Sequence, residues 1–539
     1  MYDVGVFKLK DTVSVMDFGA TGLGAVDDST EIQAAVDSLT TGGRLLFPRG
    51  TYKISTQVVI PGKIHLVGDA PNATRINADE DISPFKFYNS SASNVYEGGG
   101  ISDMSISTDD AAIVIEVVDV WGITIERIRF RDGGTPPSAT LIQCSGQSYE
   151  TRIKDCRMVG ADTFGVNFLD DCNSSSVEGC DFGLVDGATA IQAKDCNHTY
   201  IVNNRFEWAT DDGGTSITLD NANNTNIAAN SIGANTPPDS THCQILVKGT
   251  SLQTTIDGNR IAQDVGMSQV ITAEDTAKRI IISNNNFQID GGVSCIVANG
   301  RPAWVISDNQ FTLNADITGS IIDINGSAGN ITVDGNVIDA AGSSNTGTGI
   351  RLRAGSTYTS ISNNMVQGIG GSGAVGILIE VNNSSPTSNV VDNVCQGNTT
   401  DISVSSQASI NCSGNIGLDL STFSGRATLK KSSNGEVTAL TSSTSITPDM
   451  DDANNFSLTL DHDTTLNDPS NMTAGQSGCI VITQGSTGGT CSIYGTKWHF
   501  EGGSTPTLST LAGEVDTLAY FVASTSSIQA VLLKDIKTT

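Results

Sequence analysis

Along most of this chain apolar and polar residues alternate in short runs, and the runs return at a nearly fixed interval. The recurring phrase is apolar, two residues, Asn, one residue, apolar. It reads Ile201-Val202-Asn203-Asn204-Arg205-Phe206 and returns around Asn230, Asn259, Asn285, Asn309, Asn336, Asn364 and Asn393, with a looser copy at Asn415. Cys156 and Cys180 take the Asn slot in two earlier copies, and Ile128 takes it in the first. The steps from 128 to 415 are 28, 24, 24, 26, 29, 26, 24, 27, 28, 29 and 22 residues. Repeats of roughly 20 to 50 residues mark a solenoid, a propeller or an array. The unit has strand vocabulary and no helical segment, so each repeat is predicted to be one coil of a parallel β-helix.

Coils of such a helix stack at about 4.8 Å, so equivalent residues pile into columns. An Asn at an inward turn tolerates left-handed backbone angles. Its amide both donates and accepts, so each can bond the one above and the one below. Cys156 and Cys180 suit the same slot as small buried residues. Eleven steps predict a rod about 50 Å long. A second strand precedes each phrase, as in Ile217-Thr218-Leu219, Ile245-Leu246-Val247, Ile350-Arg351-Leu352 and Ile377-Leu378-Ile379. Alternation turns the first and third residues inward and the middle one outward. It predicts one outer column of Asp220, Lys248, Glu274, Ala298, Asn325, Arg353 and Glu380.

Composition narrows the partners. The 539 residues carry a formal charge of −29 with a pI near 4.3, which disfavours nonspecific nucleic-acid binding and fits a solvated rod. No charged segment followed by an apolar one opens the chain, so no signal peptide is expected. The most apolar stretch, 111–125, is short and holds Glu116 and Asp119, a poor membrane span. Eleven cysteines, an odd number, lack metal-ligand spacing. A reduced chain, assembled in the cytoplasm without metal or cofactor, is expected.

The head of the rod carries the most specific signal. Val15-Met16-Asp17-Phe18-Gly19-Ala20 leads through Gly22 and Gly24 to Asp27-Asp28. A helical pattern follows, with Ile32, Ala35, Val36 and Leu39 on one face, Asp28 or Ser29 as N-cap, and Gly42-Gly43 as stop. Phe47-Pro48-Arg49-Gly50-Thr51-Tyr52 then returns as strand. A helix there can close the open end of a solenoid. This run resembles the pectate-lyase-like head of bacteriophage tailspikes and related polysaccharide-degrading β-helix enzymes; with the ladder, the resemblance covers residues 14–417. It implies a right-handed parallel β-helix, and a structural role for Asp27-Asp28.

After the last coil the ladder stops. Residues 425–539 are rich in Ser, Thr and Gly with alternating strands, such as Phe456-Ser457-Leu458-Thr459-Leu460, and read as a β-sandwich. The phrases Ile446-Thr447-Pro448-Asp449-Met450 and Thr473-Ala474-Gly475-Gln476-Ser477-Gly478 resemble a C-terminal module of phage tail proteins that trimerises a spike or binds glycans. The expected organisation is a short arm over 1–13, a capped head over 14–110, a β-helix of about 12 coils over 111–424, and the C-terminal domain. The resemblance implies a homotrimer in the virion tail, contacting other tail or baseplate proteins. Tailspikes usually carry a larger N-terminal adaptor, so either the chain is a trimmed form or the arm attaches through another virion protein.

Glycoside hydrolysis needs two carboxyl groups, about 5 to 5.5 Å apart for retention or about 6.5 to 9.5 Å for inversion. The richest neighbourhood for them is 205–279. Glu207 and Trp208 open a loop with Asp211 and Asp212; the next coil has a longer loop with Asp239 and His242. Asp220 and Glu274 stand two coils apart, roughly 9.6 Å, with Lys248 between them. Glu207, Asp220, Asp239 and Glu274 are the candidate catalytic residues, and Trp208, Asp211 and Lys248 candidate substrate contacts. Arg351 and Arg353, with Asp323 and Glu380, form a second patch suited to gripping a carboxylated sugar. An Asp-Lys-Glu column is equally what a salt-bridged solenoid surface presents. Neither the Asn-Thr-Asp and Gly-His-Gly motifs of polygalacturonases nor the calcium motifs of pectate lyases occur. The expectation is a tailspike that binds and depolymerises a host surface polysaccharide, as hydrolase before lyase. The alternatives are a non-enzymatic receptor-binding spike and a bacterial carbohydrate-modifying enzyme such as an epimerase.

Overall fold

A computed structural model describes residues 11–537, except 80, 90–96, 109–110, 133–137, 185–187, 209–213, 234–242, 264–268, 275, 293, 300–302, 326–328, 344–345, 357, 381–387, 405–409 and 418–435. The chain divides into two compact units, 1–425 and 426–539.

The first unit is a parallel β-helix. One coil runs through Tyr200–Val202, Arg205–Trp208 and Ile217–Asp220, and each strand pairs in parallel with its counterpart a coil later. These strands belong to what we name the first, second and third sheets. The third has 14 strands; the first and second run together as 29. The ladder residue sits at the corner between first and second sheets. Asn204 Nδ2 donates to Asn230 Oδ1 at 3.1 Å, and the pattern repeats without a break to Asn393 and Asn415 at 2.9 Å. Each Oδ1 also accepts the backbone N–H of the preceding ladder residue, and each Nδ2 also donates to a carbonyl one coil back. From Asn204 to Asn393 the exposure is 2% or less, so the column is buried yet fully bonded.

Two expectations need correction. The left-handed residue is the one before the ladder Asn: Asp155, Gly179, Asn203, Ala229, Gly258, Asn284, Asp308, Gly335, Asn363, Asp392 and Gly414 all have φ between 51° and 70°. The ladder amides face inward because the preceding residue takes the bend. Ala298 is also misplaced in the outer column. It is 1% exposed and packs in the core, and Asn299 fills the outer slot, in register with Asn325 and bonded to it at 3.0 Å. The outward residue is the fourth of each phrase, and at Ile296-Val297-Ala298-Asn299 the third is small enough to mimic it.

Inside the rod, columns of Ile, Val and Phe fill the core; Phe182 stacks on Phe206 at 4.9 Å and Phe287 on Phe311 at 4.6 Å. Helix Ser29–Ser38 buries Ile32, Ala35 and Val36 over the first coil. Asp28 occupies its N-cap position, but its carboxylate turns away to accept from Thr21 N at 2.6 Å, Thr21 Oγ1 at 3.0 Å and Gly22 N at 3.3 Å. Asp27 accepts instead from Ser29 N and Ser55 N, both at 3.1 Å. Burial opposes its ionisation, yet the hydrogen bonds from Ser29 and Ser55 hold its carboxyl below the ordinary range. Both aspartates therefore knit the head together.

The second unit has two sheets, of six and three strands, around a core that includes Phe456, Leu458, Ile480, Leu518 and Trp498. Its strands Val437–Leu440, Asn455–Leu460 and Ser477–Gln484 pair in parallel, like three further short coils. The antiparallel hairpin of Val515–Ser524 and Ser527–Leu533 then adds to their edge. The two-sheet layering is that of a sandwich, whereas the parallel steps continue the logic of a solenoid.

Candidate functional site

The outer column at the end of the third sheet is Lys194, Asp220, Lys248, Glu274, Asn299, Asn325, Arg353 and Glu380 in successive coils. Asp220 Oδ2 lies 3.6 Å from Lys248 Nζ. The backbone at Gly249 approaches it so closely that a Cβ there would sit 2.8 Å from Asp220 Oδ1 and 2.3 Å from Asn221 Oδ1. Glu274 follows in the next coil, where its N–H donates to Val247 O at 2.9 Å. Below it, burial pushes the Cys243 thiol up to about 12, with the Glu274 charge adding to the effect. Two register steps thus separate the carboxylates of Asp220 and Glu274, with Lys248 between them, as the periodicity predicts.

The corner that follows this column is rigidly bonded. Asn221 Nδ2 donates to Asp195 Oδ1 at 2.9 Å, while Asn221 Oδ1 accepts from Thr250 N at 2.8 Å and Thr250 Oγ1 at 3.1 Å. Across the corner lies a recess of about 610 Å³ on the first sheet, lined by Asn224, Asn226, Gln253, Thr255, Arg279 and Ile281 among others. Asn224, Gln253 and Arg279 hold φ between 54° and 58°, a conformation that side chains beyond Gly rarely take. Sequence reasoning missed this recess, because its residues share no type; the only available signal was their common place three residues before the inward Ile of the first sheet.

The remaining candidates fall elsewhere. Glu207 lies on the second sheet, on a different face of the coil from Asp220, and is ion-paired with Arg205. The side chain of Trp208, and the loop residues Asp211, Asp212, Asp239 and His242, lie outside the described residues. Arg351 and Arg353 do not stand free. Arg351 binds Glu380 through two bonds of 3.0 and 2.9 Å, and Arg353 binds Asp323 through two of 2.7 and 2.5 Å. Asp323 is 4% exposed at its side chain, so these forks are already occupied by carboxylates of the same face. Among the described residues, no three His, Cys, Asp or Glu side chains stand close enough to hold a metal ion.

The profile of the family described as Rhamnogalacturonase A/epimerase, pectate lyase-like, matches residues 12–167. The tail spike protein of Shigella phage Sf6 is 27% identical over 194 residues, 32% of this chain and 29% of that one. Rhamnogalacturonase A of Emericella nidulans is 25% identical over 166 residues, 29% of this chain and 32% of the relative. The matched stretches therefore span about a third of these relatives or less. Among solved structures, a mutant tailspike protein of E. coli bacteriophage HK620 in complex with pentasaccharide superposes with a TM-score of 0.50 at 15% identity, covering 75% of this chain and 79% of that one. In sequence over its head and in fold along its coils, the chain resembles the pectate-lyase-like parallel β-helices of phage tailspikes.

Proposed function

We propose that this chain is a phage tailspike that binds and cleaves a host-surface polysaccharide by glycoside hydrolysis. One observation carries the reading: Asp220 and Glu274 project from one flank two coil steps apart, about 9.6 Å, beside a recess lined by amide side chains. That separation is at the upper edge of the inverting range, which leaves room for a water between base and sugar. In this reading one carboxyl protonates the leaving oxygen and the other activates the water. Lys248, between them, positions Asp220. Asn224, Asn226 and Gln253 offer donors and acceptors to sugar hydroxyls. The relatives support the substrate class, since one is a phage tail spike protein and another a rhamnogalacturonase. Glu207 and Asp239 remain proposed contributors from neighbouring loops, with Trp208 and Asp211 as sugar contacts. A homotrimeric spike joined to other tail proteins is part of the same proposal.

The Asp220–Lys248 ion pair favours one second reading, a spike that holds the receptor glycan without cutting it. Release of reducing ends from purified host polysaccharide separates the two. If that polysaccharide is bound but no reducing ends or unsaturated uronates form, hydrolysis is refuted and the receptor-binding reading stands.

A further inference from the structure

The chain has twice as many acids as bases, 58 against 29, and many cations of the rod face a carboxylate. Lys53, Lys86, Arg127, Arg157, Lys248, Arg351 and Arg353 all do. Four arginines near the head do not, and they lie close together. Arg75 and Arg129 point outward from one column of the second sheet, two coil steps apart, with Ser105 between them in register. Arg131 lies two residues beyond Arg129 on the same face, and Arg49 precedes the neighbouring strand Gly50–Ile54. Among the described residues none of the four has a carboxylate within ion-pair distance. Arg129 Nη1 and Arg131 Nη2 instead converge on one neutral acceptor, Asn72 Oδ1, at 3.4 and 3.1 Å. Arg131 Nε is buried with no partner. Arg49 and Arg75 border a recess of about 590 Å³ whose other walls are Gly50, Thr51, Ala70, Asn72 and Ala73.

Like charges gathered without counter-charge repel one another, and a buried guanidinium N–H without an acceptor costs free energy. An oxyanion in the recess relieves the repulsion, held directly by Arg49 and Arg75 beside Asn72, the residue on which Arg129 and Arg131 converge. A guanidinium fork matches the two oxygens of a carboxylate or phosphate. The small walls, Gly50, Ala70 and Ala73, leave the approach open. Arg75 and Arg129, about 9.6 Å apart along the rod, suit an extended chain with repeated charge better than a single compact anion.

We propose that Arg49, Arg75, Arg129 and Arg131 form an anion subsite that holds the acidic groups of an extended glycan, carboxylate or phosphate, on the second sheet. This rests on the proposed reading of the rod as a glycan binder and narrows its ligand to acidic polysaccharides. It places a gripping site in the head coils, away from the Asp220 flank.

The test is a binding titration of the whole chain with four probes: an oligouronate, a phosphate-bearing oligosaccharide, neutral dextran oligomers and single-stranded DNA. Binding of either acidic probe, weakened by salt, with dextran inert, supports the subsite, and the tighter probe identifies the oxyanion. R75Q/R129Q should weaken that binding by about tenfold or more, and R129K, which keeps charge but loses the fork, should weaken it in part. Unchanged circular dichroism and melting of the variants guards against misfolding. Equal binding of dextran, equal binding of single-stranded DNA, or full affinity in R75Q/R129Q would overturn the proposal. The cleavage assay is separate: arginine-dependent binding without cleavage keeps the subsite and sinks hydrolysis, whereas cleavage without it does the reverse.

Discussion

The side-chain amide of Asn204 donates to Asn230 Oδ1 at 3.1 Å although 26 residues separate them in the chain. The same bond recurs through Asn259, Asn285 and beyond, with intervals from 22 to 29 residues. Coil length varies while the vertical contact does not, so the corner between first and second sheets holds the register of the rod.

Removing one rung should therefore be costly. Asn285→Ala leaves the backbone N–H and Nδ2 of Asn259 without their shared acceptor, and takes from Asn309 Oδ1 and Ile256 O the bond that Asn285 Nδ2 donates to each. A loss on the order of 3 kcal/mol is expected, read as a lower urea midpoint at unchanged m-value. A change under about 0.5 kcal/mol would mean that the ladder is ornamental.

The left-handed column makes a prediction of opposite sign at two neighbouring coils. Ala229, at φ 56°, should gain about 1 kcal/mol on replacement by Gly. Gly258, at φ 65°, should lose a similar amount on replacement by Ala, although no atom lies within 4 Å of the added Cβ. The two unfolding midpoints must move apart in opposite directions; a common direction would refute the assignment of strain to the backbone.

On the proposed catalytic flank, Asp220→Asn and Glu274→Gln should each lower the release of reducing ends by about 100-fold to 10,000-fold, with glycan binding largely kept. Turnover within about twofold of the parent in both variants removes this pair as acid and base while leaving the fold untouched.

Acid stability offers a further check at the head. The hydrogen bonds from Arg127 hold the Asp103 carboxyl below its ordinary value of 3.8, with burial opposing them in part. A depressed folded pKa contributes stability above the unfolded value, and that contribution is lost as pH falls through the folded one. Asp103→Asn should thus be less stable than the parent at pH 6, with the gap closing as pH falls through and below 3.8. A gap that widens on acidification contradicts the sign.

The cysteines should be silent in the native chain. Burial pushes the thiols of Cys243 and Cys395 up to about 12 and that of Cys412 to about 11. At pH 8 a thiolate-directed reagent should modify Cys412, which is partly exposed, far more slowly than a free thiol, and the buried nine only after unfolding. Rapid labelling of Cys156 or Cys180 would show the ladder column to be open.

Much of the fold was legible because the sequence repeats. Once Asn204, Asn230 and Asn259 are aligned, strand order, inward faces and the Asp220–Lys248–Glu274 column follow from the period. What the pattern hides is local. The bend falls on Asn203 or Ala229 instead of the ladder Asn, since several residue types accept positive φ and none dominates that column. Ala298 passes for a surface residue because a small side chain fits either side of a strand. The pairing of Arg351 with Glu380 depends on side-chain reach, which spacing does not encode. Arg49, Arg75, Arg129 and Arg131 escape notice because they belong to coils in which Asn does not yet fill the repeated slot, and only stacking gathers them.

The constancy of the ladder corner means that length differences between coils fall on the other two bends. Strand addresses are therefore independent of loop content. A lineage of such rods can exchange whole decorations while inheriting the same scaffold rung for rung.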